Sequence, residues 1–327
     1  MRMKTLARGV LITLGVVVVL VAGAWLALRR PDIPYDKLEA RYASSASRYV
    51  VLPDGARVHY RDQGPRDAPV VVLVHGFSAS LHAWEPWVER LSGRYRVVTL
   101  DLPGHGLTRA PKGYVGGTDA YVRTVEGLAR HLQLPRFVLG GNSMGGGVAW
   151  NYALAHPERL DGLVLVDSAG WPQGEGANKA LIFRLLANPV SRGLLKDLDS
   201  RPLVIQGLKA GYLDERLVTP ALIDRYVELS RAPGHRDILT AQQSGPRRTA
   251  TEAGLAKIGA RTLVMHGRED RLIPFASGER FARAIPDAEI ILYDRVGHAP
   301  MEQIPDRSAA DLAAWLDRGQ APTASTE

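Results

Sequence analysis

Cysteine is absent from the 327-residue chain. Its absence removes disulfides, thiolate nucleophiles and the usual structural zinc sites, but says little about compartment, because many exported bacterial proteins also lack it. The chain also lacks a histidine pair with glutamate on one helix face and a phosphate-cradling glycine loop with lysine, so neither metal nor other cofactor is expected. The net charge of +7 looks basic, yet Arg2, Lys4, Arg8, Arg29 and Arg30 supply five of those charges with no acid among them. Subtracting the five from +7 leaves +2 for residues 31 to 327. No basic stripe interleaved with aromatics remains, which argues against a nucleic-acid partner.

The five charges flank Gly9 to Leu28, twenty uncharged residues that as a helix would span roughly 30 Å, the thickness of a bilayer's hydrocarbon core. A transmembrane helix is expected, read as an uncleaved anchor. The alternative is a secretory signal cleaved at Ala22-Gly23-Ala24, against which the apolar run continues through Trp25 to Leu28. Three basic side chains and the amino terminus precede the segment, whereas Arg29 and Arg30 are followed by Asp32 and Asp36. That asymmetry places the N-terminus in the cytoplasm and the remaining domain on the outer, periplasmic side. Gly9, Gly15 and Gly23 leave room for helix–helix contact in a homodimer.

Past a Pro-containing juncture, strand-like and helical runs alternate, the pattern of a mostly parallel sheet with helices on both faces. Eight strands are expected: Tyr49 to Leu52, Arg57 to Arg61, Val70 to His75, Tyr95 to Leu100, Arg136 to Leu139, Gly162 to Val166, Thr262 to His266 and Glu289 to Tyr293. Pro53-Asp54-Gly55 makes the first pair a hairpin, so the sheet begins antiparallel. About 95 residues separate Val166 from Thr262, too many for a plain crossover, and are read as a helical cap. Within it Ala177 to Ala187 is mostly apolar, and Thr219-Pro220 opens a helix reaching Arg231. The expected organisation is an anchor at 1–30, core at 31–168, cap at 169–255, core again at 256–318 and a disordered tail at 319–327.

Gly141-Asn142-Ser143-Met144-Gly145 follows an apolar strand and opens a small-residue helix. A serine on such a turn is forced into a strained conformation that lifts its Oγ above the sheet. A hydroxyl is a poor nucleophile without a base and an orienting acid, and candidates follow in order: Asp270 after the seventh strand and His298 after the eighth. Glu269 and Asp167 are the competing acids. The backbone N–H groups of Phe77 and Met144 are the candidate oxyanion donors. His105, in Asp101-Leu-Pro-Gly-His-Gly106, is read as architectural.

These segments, with Val74-His75-Gly76-Phe77, His266-Gly-Arg-Glu-Asp270 and Val296-Gly-His298, resemble the α/β-hydrolase superfamily over residues 49 to 318. The run Leu217 to Tyr226, with the N-terminal apolar helix, is similar to membrane-anchored monoacylglycerol lipases and bacterial inner-membrane lipases and phospholipases A. The resemblance implies a cofactor-free serine hydrolase of carboxylic esters, with Ser143, His298 and Asp270 as triad. Apolar Leu181, Ile182, Phe183, Leu185 and Leu186 near a bilayer favour lipid acyl esters. The alternatives are a short-chain esterase, a carbon–carbon bond hydrolase or a non-enzymatic binding protein of the same fold. Carbon–carbon bond hydrolases usually carry Gly-Pro-Gly where this chain reads Phe77-Ser78-Ala79-Ser80, and carboxylate-nucleophile relatives place aspartate where Ser143 stands.

Overall fold

The computed structural model describes residues 2–172, 188–244 and 248–319. Helix α1 (Arg2–Leu28) comes first. Its segment Leu11–Leu28 has a mean hydropathy of 2.6 and no residue buried in the protein; Val19, for example, is 70% exposed. By length and composition it is able to cross a membrane, as an anchor or a signal sequence does.

A short helix α2 (Tyr35–Tyr42) leads into β1 (Ser47–Val51), β2 (Arg57–Gln63), β3 (Val70–Val74), α3 (Glu85–Leu91), β4 (Arg96–Leu100), α4 (Thr118–His131), β5 (Phe137–Asn142), α5 (Met144–Ala155) and β6 (Leu160–Val166). Between the sixth and seventh strands the described helices are α6 (Pro189–Leu195), α7 (Arg201–Gly211), α8 (Pro220–Ser230), α9 (His235–Ser244) and α10 (Glu252–Leu255). The chain returns with β7 (Thr262–Gly267), α11 (Ala276–Ala284), β8 (Ala288–Tyr293), α12 (Pro300–Gln303) and α13 (Pro305–Arg318).

The eight strands form one sheet in the order β1-β2-β4-β3-β5-β6-β7-β8. The β1–β2 and β2–β4 pairs are antiparallel and all others parallel. Leu52 donates to the Ala56 carbonyl across Pro53-Asp54-Gly55, where Gly55 has φ +85°, and this closes the expected hairpin. All eight strands form, but β5 runs three residues past its expected end. Gly140 and Gly141 have low strand propensity; pairing with β3 on one side and β6 on the other holds them extended.

Side chains alternate across a strand, so Val70, Val72 and Val74 enter one core while Val71 and Leu73 enter the other. The first core packs against α4, α5 and α11, with Tyr121, Tyr152 and Phe281. The second packs against α3 and α13, with Trp84, Trp87 and Trp315. Burial on both faces explains why these strands read as unbroken apolar runs.

The insertion helices are tied to the sheet's carboxyl edge and to the juncture after α1. Thr219 caps α8 by accepting the Leu222 amide at 3.2 Å, as its Thr-Pro pattern predicts. Ile238 of α9 packs over Gly104, and the Tyr121 hydroxyl meets Gln242 at 3.2 Å. The Arg30 amide donates to the Asp197 carbonyl, the Asp199 amide to the Leu28 carbonyl and the Ile33 amide to the Arg231 carbonyl, at 2.8, 3.0 and 2.8 Å. The apolar cluster from Leu181 to Leu186, and the tail from residue 320 on, lie outside the described residues.

Candidate active site

Ser143 sits between β5 and α5 with φ +54° and ψ −117°. Such a conformation costs a non-glycine residue on the order of 1–3 kcal/mol and persists only where its surroundings fix it. Here the Ser143 amide donates to the Val166 carbonyl at 3.0 Å, and its carbonyl accepts from Gly147 and Ala169 at 3.1 and 2.9 Å. Strand and helix close so tightly that a Cβ on Gly141 would stand 2.2 Å from the Gly145 carbonyl oxygen, and one on Gly145 would stand 2.1 Å from that of Val74. The flanking glycines are therefore steric requirements of the elbow.

His298, in the loop after β8, holds its Nδ1 2.7 Å from Asp270 Oδ2. An ionised carboxylate only accepts, so Nδ1 carries the proton and Nε2 keeps a lone pair for use as a base. Asp270 Oδ1 accepts the amides of Leu272 and Ile273 at 2.7 and 3.0 Å. Burial opposes ionisation of Asp270, but its interactions with the neighbouring His266 and His298 imidazoles outweigh it and hold the carboxyl well below the usual range. Burial likewise opposes charge on His298. The hydrogen bond to Asp270 and its negative charge prevail, raising that imidazole above its ordinary value.

The nucleophile and histidine loops are stitched together by Asn142, whose Nδ2 donates to the His298 carbonyl at 3.0 Å and to that of Val166 at 3.2 Å. A Cβ on Gly76 would lie 3.3 Å from the Ser143 Cβ, so the loop after β3 abuts the elbow as well. Among the described residues, neither the Phe77 nor the Met144 amide has a hydrogen-bond acceptor. Met144 opens the twelve-residue α5, whose N-terminal end is positive by its backbone dipole. Two idle donors beside a half-buried serine are suited to a developing oxyanion.

The competing acids are placed differently. Glu269 points to the Val296 amide at 3.2 Å, while Asp167 lies buried behind Asp270, near His266. His105 is buried, and burial depresses its basicity far below the ordinary imidazole range. Asp101 accepts from the amides of Leu81 and Leu107 at 2.7 and 2.8 Å and pairs with His59 at 2.7 Å, an architectural role. Asp167, His266 and Asp270 bring donor atoms within 4.8 Å of one another. A cation there would have to displace His298 from Asp270, and the Ile273 carbonyl from His266 at 2.9 Å.

Three contributors carried no sequence signal of their own: Asn142, His266 and the Gly211 carbonyl. Gly211 ends α7, and its carbonyl accepts the His298 amide at 2.7 Å. Gln303 Oε1 accepts from Leu213 and Gly297, and the Tyr212 hydroxyl meets Glu302 at 2.5 Å, so the insertion is fastened directly to the histidine loop.

Comparison with known proteins identifies the fold. A family profile described as "alpha/beta hydrolase fold" matches residues 69–304. A 2-hydroxy-6-oxo-6-phenylhexa-2,4-dienoate hydrolase of Burkholderia cepacia is 29% identical over 280 residues, 78% of this chain and 91% of that protein. A pimeloyl-[acyl-carrier protein] methyl ester esterase of Nitrosomonas europaea is 28% identical over 267 residues, 77% of this chain and 96% of that protein. Among solved structures, a membrane phospholipase A described as a bacterial virulence factor superposes with a TM-score of 0.71 at 26% identity. That match covers 97% of this chain and 99% of the other.

Proposed function

The chain belongs to the alpha/beta hydrolase fold family, and from that premise we propose that it is a serine hydrolase cleaving carboxylic esters, with lipid acyl esters as substrates. The observation that carries the reading is the 2.7 Å pairing of His298 with Asp270 on the sheet edge where Ser143 stands at an elbow. His298 Nε2 takes the Ser143 proton as Oγ attacks the ester carbonyl; the Phe77 and Met144 amides receive the oxyanion. Asp270 stabilises the imidazolium, which then gives its proton to the leaving alcohol, and water releases the acid from the acyl-enzyme. The helical insertion from residue 169 to 255 serves as a cap over the site.

Support for a lipid substrate comes from the N-terminus. The unmatched 3% of the 327 residues, about ten, is shorter than the 27-residue α1, so the likeness to the membrane phospholipase A extends into the apolar helix. Such a helix, kept as an anchor with the domain on the outer face, would hold the site beside its substrate.

A carbon–carbon bond hydrolase is the second reading, favoured by the named activity of the Burkholderia cepacia relative. One experiment separates the two. Wild type and Ser143→Ala are incubated with long-chain monoacylglycerol, lysophospholipid, diacylphospholipid, a short-chain ester and a 2-hydroxy-6-oxo-dienoate. Ser143-dependent release of long-chain fatty acid supports the proposal, whereas Ser143-dependent turnover of the dienoate alone overturns it. A folded protein that no fluorophosphonate labels at Ser143 would overturn serine catalysis altogether.

A further inference from the structure

Behind the triad lies a second carboxylate and imidazole to which the reaction above gives no role. Asp167 follows the last residue of β6 and adopts φ +44°, in the left-handed region that side chains other than glycine avoid. Its carboxylate is fully buried. Oδ1 accepts the Gly267 amide at 2.9 Å, while Oδ2 has no hydrogen-bond partner among the described residues. His266, also fully buried, points Nε2 at the Ile273 carbonyl at 2.9 Å. A carbonyl only accepts, so this nitrogen carries a proton. The same Nε2 lies 3.5 Å from Asp167 Oδ1 and 3.6 Å from Asp270 Oδ2, between the two carboxylates.

We propose that Asp167 is a positioning residue for the triad: with His266 it forms a second carboxylate–imidazole pair that braces Asp270 and adds negative charge behind the His298 imidazolium. The inference rests on reading His298 as the catalytic base. Asparagine would serve the Gly267 amide equally well by shape, so what the carboxyl adds is the ability to hold or release a proton. Burial raises the Asp167 carboxyl to about 7, while attraction to His266 and His298 resists the rise.

The groups that set this balance are few. His298 is faced by Asp270 from the loop after β7, by Asp167 from the end of β6 and by His266 from β7 itself. Asp167 is faced by His266, His298, Asp270 and the Gly267 amide, with the Tyr293 phenol of β8 beyond. His266 is faced by Asp270, Asp167 and the Ile273 carbonyl. When Asp167 gives up its proton, its charge favours the cationic form of both imidazoles, so His298 holds a proton more firmly than Asp270 alone would make it.

The test is a pH titration of the full chain in detergent micelles, labelled with 13C at histidine Cε1 and followed by NMR. The His298 signal is identified by its loss in His298→Gln. In Asp167→Asn the His298 midpoint falls to lower pH than in wild type. The acid limb of kcat/KM on a soluble ester follows it to lower pH, with the two profiles furthest apart near neutral pH, where Asp167 is partly ionised in wild type. A purely structural role would lower kcat and leave the limb in place.

Should Asp167→Asn fail to fold, the wild-type curve still decides: coupling to a neighbour titrating in the same range broadens it beyond a single-site curve. A single-site wild-type curve, or an unchanged His298 midpoint in folded Asp167→Asn, overturns the inference. Failure of the catalytic reading is distinct: absence of fluorophosphonate labelling at Ser143 removes the acyl-enzyme, yet the titration still reports whether Asp167 reaches His298.

Discussion

Replacing Asp270 with asparagine tests the site at the contact that fixes its tautomer. The change keeps size and shape, and Oδ1 can still accept the amides of Leu272 and Ile273, so the loop has every reason to fold. What changes is the atom 2.7 Å from His298 Nδ1, where an N–H replaces a carboxylate oxygen. Two N–H groups cannot share that line, so the imidazole must move its proton to Nε2, which then donates towards Ser143 instead of accepting from it. The corresponding change in the serine-protease template lowers kcat by about 10⁴, and at 1.36 kcal/mol per tenfold that is about 5.5 kcal/mol of transition-state stabilisation.

A second consequence concerns pH. In wild type Asp270 raises His298 above its ordinary value, so the base is lost as pH falls through a midpoint on the alkaline side of about 6.5. Asp270→Asn removes the anion, and its residual rate persists to lower pH. The assay is hydrolysis of a soluble ester from about pH 5 to 9, with circular dichroism as the control for folding. A folded Asp270→Asn within tenfold of wild type would refute the reasoning and direct attention to Asp167 or Glu269 as the acid.

Three further outcomes are expected. Gly76→Ala would set a methyl group 3.0 Å from Asn142 Oδ1 and 3.3 Å from the Ser143 Cβ; the fold should survive while fluorophosphonate labelling slows on the order of 10²-fold, by misplacing the Phe77 amide. Asp101→Ala strips a buried acceptor from His59 and two amides, a loss of about 3–5 kcal/mol measurable by urea unfolding. Because the native Asp101 carboxyl is held below the usual range, opposing the effect of its own burial, its stabilisation is present above about pH 4 and fades as pH falls through the folded value; Asp101→Ala should show a flatter acid profile there. Deleting residues 2–28 should leave labelling of Ser143 intact while abolishing sedimentation with membranes and the preference for vesicle-borne over soluble esters; an intact vesicle preference would mean that α1 does not deliver substrate.

The central strands were most legible where they are apolar, β-branched runs buried on two faces, as at Val70 to Val74. Their ends were less so: Gly140 and Gly141 join β5 only because neighbouring strands hold them, a fact outside their own propensity. The meeting of Asp270 with His298 follows from strand order, since loops leaving β7 and the adjacent β8 at the same edge have little room to miss each other. Asn142 reaching the carbonyl of a residue 156 positions away, and Gly211 accepting the His298 amide, left no trace in residue type. Backbone acceptors have no signature in a sequence. His266 was visible only as the first residue of His266-Gly-Arg-Glu-Asp270; its place between two carboxylates required Asp167 to turn back at φ +44°.

The bond from the His298 amide to Gly211 couples the histidine loop to the insertion. Displacing the carboxyl end of α7 would break the 2.7 Å contact that steadies the histidine's backbone, and Leu213 and Tyr212 would pull on Gln303 and Glu302. On the proposed reading, displacement of α7 at this end would leave the His298 imidazole less firmly aimed. One main-chain hydrogen bond therefore ties the placement of the candidate base to that of α7.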